Sequence, residues 1–389
     1  MVNVNVVFGG WYQRTTLHLS EVQRFLLYGT SDLKLDKTKL DVLRRRLDLK
    51  NVTRIVGNLE YLEVETKGGV LIRYFEDGLY VLSKRGDEKD IEKIKKNISD
   101  YYFNSFKSAT DYLFSLGAPT PKILSNLQEI HPFVIERIVA DPNKSKVNSK
   151  FGDVYFVTKS DRINVSKTKE NIFVDVTKKR EKALRTLTEM QIFFSDFKLQ
   201  LHKYLDIHRT IWEEIGDIKE KRDIAGKDIG DCKRKLESYK KTVQLIRNRI
   251  NQMNNYAKTR QKIAENVKIN HDLVELFQFR FDDLFNTLKY IKELWAMTLD
   301  YVNDGVGVLK DIEKKANAKG IKSIQLLVSF SVIAGVMRYL NTGLPDIALD
   351  GVLYICGILL IALGLDRAFR WHNKKKKYKL KFVERVEKI

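Results

Sequence analysis

Two apolar stretches near the C-terminus constrain this chain most. Ile324 to Leu340 and Ile347 to Leu365 are joined by a short polar link, Asn341-Thr342-Gly343-Leu344-Pro345-Asp346. The hydrocarbon core of a bilayer is about 30 Å thick, and a helix crosses it in about 17–25 residues. Both stretches reach the short end of that range. A proline-containing link of this length leaves room only for an antiparallel pair, so the pattern predicts a transmembrane hairpin over 321–366. The run Ile358-Leu359-Leu360-Ile361-Ala362-Leu363-Gly364-Leu365 is apolar on every face of a helix, unlike the one-sided stripe of a hairpin buried in a soluble core.

Basic residues flank both stretches. Lys314, Lys315, Lys319 and Lys322 precede the first, while Arg367, Arg370 and Lys374-Lys375-Lys376-Lys377 follow the second. Positive residues stay on the cytoplasmic side of a membrane. The expected location is therefore the cell membrane, multi-pass, with both termini cytoplasmic. The net charge of +20 invites a nucleic-acid reading, but residues 367–389 alone hold ten basic against two acidic residues. So concentrated a patch suits contact with anionic lipid headgroups through a basic cytoplasmic tail (367–389), and no nucleic-acid partner is expected. Cys232 and Cys356 are the only cysteines, too few for a disulfide framework. Met1 to Phe8 lacks the basic and long apolar regions of a signal peptide.

Residues 1–178 read as a cytosolic α/β domain. Val2, Val4, Val6 and Phe8 alternate as a strand does, with Gly9-Gly10 expected to end it. Helices are expected from Ser20 to Tyr28, stopped by Gly29, and over Asp36 to Leu49. Short β-rich runs follow at Val52–Val56, Tyr61–Val64, Val70–Phe75 and Tyr80–Leu82, separated by Gly57-Asn58, Lys67-Gly68-Gly69 and Asp77-Gly78. A long helix is expected over Asp87 to Leu116, then strands near Pro132–Ile138, Val154–Val157 and Ile172–Val176.

No phosphate loop, dinucleotide fingerprint, His-Glu-x-x-His, Cys-x-x-Cys or Gly-x-Ser-x-Gly is present. His18 and His131 stand alone, and Glu76-Asp77 reads as a solvated turn pair. The chain is accordingly expected not to be an enzyme, with no catalytic and no cofactor-binding residues.

Residues 179–320 carry three apolar stripes at 3-4 spacing, expected as a stalk of three long, coiled-coil-like helices. The first runs Leu187, Met190, Phe194, Phe197, Leu201, Tyr204, His208, Ile211, Ile215 and Ile218. The second runs Leu236, Tyr239, Val243, Ile246, Ile250 and Met253. The third runs Phe277, Phe281, Leu284, Leu288, Ile291, Trp295, Thr298 and Val302. Gly226 and Gly230 mark the first break, and Asn251, Asn254 and Asn255 mark the second. His208 falls on the apolar seam, which favours a structural role over metal binding. Asp282-Asp283, Asp300, Asp304 and Asp311 read as a solvated face. In an oligomer they would also offer carboxylate oxygens to a divalent cation, although no metal ligand is assigned.

This order of parts resembles the CorA-type two-transmembrane metal-ion transporters: an α/β domain, a helical hairpin, a long helix that becomes the first span, a short outer loop, a second span and a Lys-rich tail. The likeness is one of layout, most convincing from Arg180 to Lys377. Where that family carries Gly-Met-Asn, this chain reads Met337-Arg338-Tyr339-Leu340-Asn341-Thr342-Gly343. The resemblance implies a homo-oligomer, a pentamer in that family, whose first span lines an ion pathway. Pore-lining candidates are then Ser331 and Gly335 on one face of the first span, Gln325 and Ser329 on another, and Asn341 at its outer end. No cofactor is expected beyond magnesium or a similar divalent cation as the transported or regulatory ion. The alternative reading is a membrane-anchored scaffold or sensor, with an α/β head on a helical stalk.

Overall fold

The computed structural model describes residues 3–12, 18–115, 132–160, 162–219, 223–342 and scattered positions between 356 and 379. Its N-terminal part is an α/β sheet domain and long helices follow. The chain divides into two compact units, residues 1–207 with 245–293 and residues 208–244 with 294–389.

The first unit is built on a nine-stranded sheet. Its strands are β1 (Asn3–Trp11), β2 (Leu49–Ile55), β3 (Tyr61–Thr66), β4 (Leu71–Phe75), β5 (Leu79–Asp87), β6 (Phe133–Ile138), β7 (Phe156–Ser160), β8 (Ile163–Lys167) and β9 (Asn171–Val176), in the order β2-β3-β4-β5-β1-β6-β9-β8-β7. All neighbours are antiparallel except β6 and β9. β1 holds the middle position. It pairs with β5 along its whole length, from Asn3↔Asp87 to Trp11↔Leu79.

The strand alternation of β1 sorts its residues between two layers. Val4, Val6 and Phe8 join the core beneath α1 (Leu19–Tyr28), α2 (Lys37–Arg46), α3 (Ile91–Tyr101) and α4 (Lys107–Leu113). Trp11 points the other way and packs on Phe193 and Phe197 of α5 (Glu181–Lys219). The strand runs straight through Gly9-Gly10 instead of ending there. A Cβ on Gly9 would lie 2.6 Å from the Tyr80 carbonyl oxygen and 3.1 Å from Ile192. The glycines admit a helix pressed onto the sheet rather than a turn.

On the first face, α1 starts at Leu19 after His18, and Gly29 in the left-handed conformation stops it. Asp36 caps α2 by accepting from the Lys39 amide. The long helix expected over 87–116 is divided: a 3₁₀ turn (Glu88–Asp90), α3, a π turn (Tyr102–Phe106) and α4. The π turn brings Tyr102 and Phe106 onto Tyr80, with the two tyrosine hydroxyls 2.9 Å apart. The residual space in this core, lined by Phe25, Leu47, Ile72, Phe106 and Leu113 among others, is about 10 Å³. That is about the smallest space that holds one water molecule.

The helices that follow bury the stripes read from the sequence. Besides α5 they are α6 (Ile229–Asn266), α7 (Asn270–Phe277) and α8 (Phe281–Thr342). Helix α6 continues through Asn251, Asn254 and Asn255. The break comes instead at Val267–Ile269, where Lys268 has φ +60. Within the second unit, Trp212 stacks on Tyr301 at 4.6 Å, and the strand β10 (Asp223–Ala225) pairs with β11 (Lys377–Lys379).

Among the described residues, no helix is long and apolar enough to cross a membrane. This corrects the transmembrane hairpin expected over 321–366, and with it the multi-pass membrane location. The first apolar stretch is the end of the 62-residue α8. There the polar groups of Gln325, Ser329, Ser331 and Arg338 interrupt the valines and isoleucines, and a spanning helix would have to carry them into hydrocarbon. The link 343–346 and most of the second stretch lie outside the described residues, as does all of the tail after Lys379.

Candidate functional site

The second face of the sheet meets α5 and α6 through charge. Arg260 of α6 is bidentate to Asp77, with Nε–Oδ2 2.7 Å and Nη2–Oδ1 2.9 Å, and both side chains are fully buried. The Leu79 amide also donates to Asp77 Oδ1, and Trp11 Nε1 donates to the Asp77 carbonyl oxygen. The guanidinium lies over the Phe75 ring at 4.6 Å. A planar fork matches a carboxylate in this way, and removing either partner would leave a buried charge alone. Asp77, expected in a solvated turn, is thus a keystone of the α6 contact. The sequence signal was present. The second stripe continues Met253, Ala257, Arg260, Ala264 at 4-3-4 spacing, which puts an arginine on the seam itself.

A second polar seam lies under α5. Glu136 on β6 accepts from Thr188 Oγ1 at 2.6 Å and from Asn5 Nδ2 at 2.8 Å. Arg73 on β4 pairs with Glu189 at 3.2 Å, and Arg185 reaches Glu63, Glu189 and the Tyr61 hydroxyl. Burial pushes the Glu136 carboxyl up, against the hydrogen bonds from Thr188 and Asn5, and pushes the Arg73 guanidinium down. A buried carboxylate with a raised pKa is a general-acid candidate only where substrate can reach it. Glu136 is sealed beneath α5 and its oxygens are taken by its own chain. At one end of the other face, Arg137 is likewise bidentate to Asp175 and paired with Glu88.

One pair of charges is not matched in this way. Lys167 ends β8, and its ammonium sits 4.5 Å above the Phe156 ring and 5.8 Å from that of Phe277. Lys198 comes from α5 and covers the Phe279 ring at 4.9 Å. Phe277 and Phe279 stack on each other, and Phe279 stacks on Phe194. Both lysines are half-buried. Burial, and after it the charge of Lys198, holds the Lys167 ammonium below the ordinary lysine range, and no carboxylate opposes that shift. Among the described residues neither lysine is paired with an acid. The two are distant in sequence, and no spacing rule connects them.

The candidates read from the sequence do not converge. Gln325, Ser329 and Gly335 are exposed and Ser331 is half-buried on α8. Ser329 Oγ donates to the Gln325 carbonyl oxygen of its own helix at 2.8 Å. Asn341 lies in the last turn of α8, and its side chain is outside the described part. His208 is half-buried and lies 5.6 Å from Trp295 and 5.8 Å from Trp212, ring centre to ring centre. Burial pushes its imidazole down. Among the described residues no group of His, Cys, Asp or Glu is placed to hold a metal ion, the acids of α8 included.

No protein-family model and no curated protein matches the chain. The likeness to CorA-type transporters rests on the order of elements alone, and nothing supports ion transport of that kind.

Proposed function

We propose that this protein acts by binding, as a self-associating scaffold or sensor with an α/β head and a helical unit, and not as an enzyme. The observation that carries this reading is the disposition of charge in the head. Arg260, Arg137, Arg73 and Glu136 are each taken up by partners of the same chain, and the space in the core holds no substrate. Among the described residues, recognition is left to surface.

Self-association has its own support. Val328, Val332 and Val336 repeat at four-residue spacing on α8 with Ile333 beside them, and each is more than half exposed. Apolar side chains grouped in this way mark interaction surfaces. Light scattering on the full chain is expected to give a multiple of the chain mass, and Val332→Asp is expected to return it toward the monomer. A monomer at every concentration would overturn the self-associating scaffold.

A further inference from the structure

We propose that Lys167 and Lys198 form a binding site for a phosphoryl dianion carried by a small molecule. The proposal rests on the sensor reading above and names the class of ligand. Two half-buried lysines place their ammonium groups over neighbouring stacked rings, Lys167 over Phe156 and Phe277 and Lys198 over Phe279. Like charges brought together out of water raise each other's energy, and the usual remedy is an acid between them. In this head the other buried cations have one: Arg260 has Asp77, Arg137 has Asp175 and Arg73 has Glu189. Among the described residues Lys167 and Lys198 have none, which leaves a counter-charge for a ligand to supply.

The donors indicate what that charge is. Lysine is a compact point charge with three rotatable donors, which suits a phosphoryl group without requiring the planar match of an arginine fork. A monocarboxylate would neutralise only one of the two, whereas a phosphate monoester carries close to two charges at neutral pH. The rings of Phe156, Phe277 and Phe279 lie against the two ammonium groups, and their apolar faces favour a small ligand over a flexible chain. The depressed Lys167 ammonium agrees with the geometry.

The test is calorimetric titration of the full chain at fixed ionic strength with inorganic phosphate, pyrophosphate and AMP. The expected result is saturable binding with one site per chain. It should weaken roughly tenfold or more in Lys167→Met and Lys198→Met, the scale of one charge-assisted hydrogen bond. Lys198→Arg keeps the charge and should stay within a few fold of the wild type, which separates loss of the site from loss of the fold. Lys159→Met, removing an exposed lysine that bonds the Asn143 carbonyl oxygen on the same edge of the sheet, should change nothing. Tighter binding of AMP than of phosphate identifies an organic phosphate as the source, and equal binding identifies the free anion. The site is overturned if none of the three probes binds, or if all bind both methionine variants as they bind the wild type. If the site fails while the particle mass is unchanged, the scaffold stands. If AMP binds and is hydrolysed there, the site stands and the non-catalytic reading falls.

Discussion

The layer of α1–α4 and the layer of α5–α6 cover the same sheet by different means. Beneath α1–α4 the contacts are chiefly apolar: Val4, Val6, Phe8, Leu62, Ile72 and Phe173 meet Val22, Phe25, Leu40, Ile94 and Ile98. Beneath α5–α6 the apolar contacts of Trp11, Phe193 and Phe197 are interspersed with Arg260–Asp77, Arg73–Glu189 and Glu136–Thr188. Apolar burial is non-directional and tolerates changes of shape that keep volume. A bidentate buried pair tolerates almost none, because its geometry offsets the cost of desolvating two charges. The first layer is held by amount of contact, and the second is held in one register.

Substitutions put that contrast to the test. The largest effect is expected for Arg260→Leu, which leaves Asp77 charged and unpaired under α6. It should cost about 3–5 kcal/mol in denaturant unfolding. A loss below about 1 kcal/mol would mean that the polar layer is as tolerant as the apolar one. On the opposite face, Ile72→Leu keeps volume and should cost less than about 1.5 kcal/mol in the same assay. A cost equal to that of Arg260→Leu would remove the distinction from the other side.

The smallest effect concerns pH. Burial raises the folded pKa of Glu136 above its unfolded value of about 4.3. Between those two values the folded state binds more protons than the unfolded state. Wild-type stability should therefore fall as pH rises through that window. Glu136→Gln has no such proton to lose, so its stability relative to the wild type should improve across the window. Parallel stability curves for the two proteins would show that the carboxyl titrates as it does in the unfolded chain.

The sequence carried the elements better than their partners. Alternation marked β1, and Asp36 and Gly29 marked helix ends by their own chemistry. The passage of β1 through Gly9-Gly10 was hidden, because its reason is Ile192 pressing from another part of the chain. Strand β8 was missed although Asn164 and Ser166 alternate with Ile163 and Val165, because it is only five residues long and its polar residues are buried too. Asp77 was misjudged from its turn, since its partner lies 183 residues away. The hairpin expectation came from the length of apolar runs, which counts valines and isoleucines without weighing the Gln325, Ser329, Ser331 and Arg338 among them. The lysine pair had no local signal, for Lys167 and Lys198 are related only through the stacked rings of Phe277 and Phe279.

A double-mutant cycle on Arg260 and Asp77 measures whether buried ion pairs fix the second layer. Arg260→Leu, Asp77→Leu and the double variant would be unfolded in denaturant alongside the wild type. The double variant is expected to lose less than the sum of the single losses, by about 2–3 kcal/mol, since it leaves no orphaned charge. Losses that add to within about 0.5 kcal/mol would show that the two residues do not act as a pair, and would contradict that expectation.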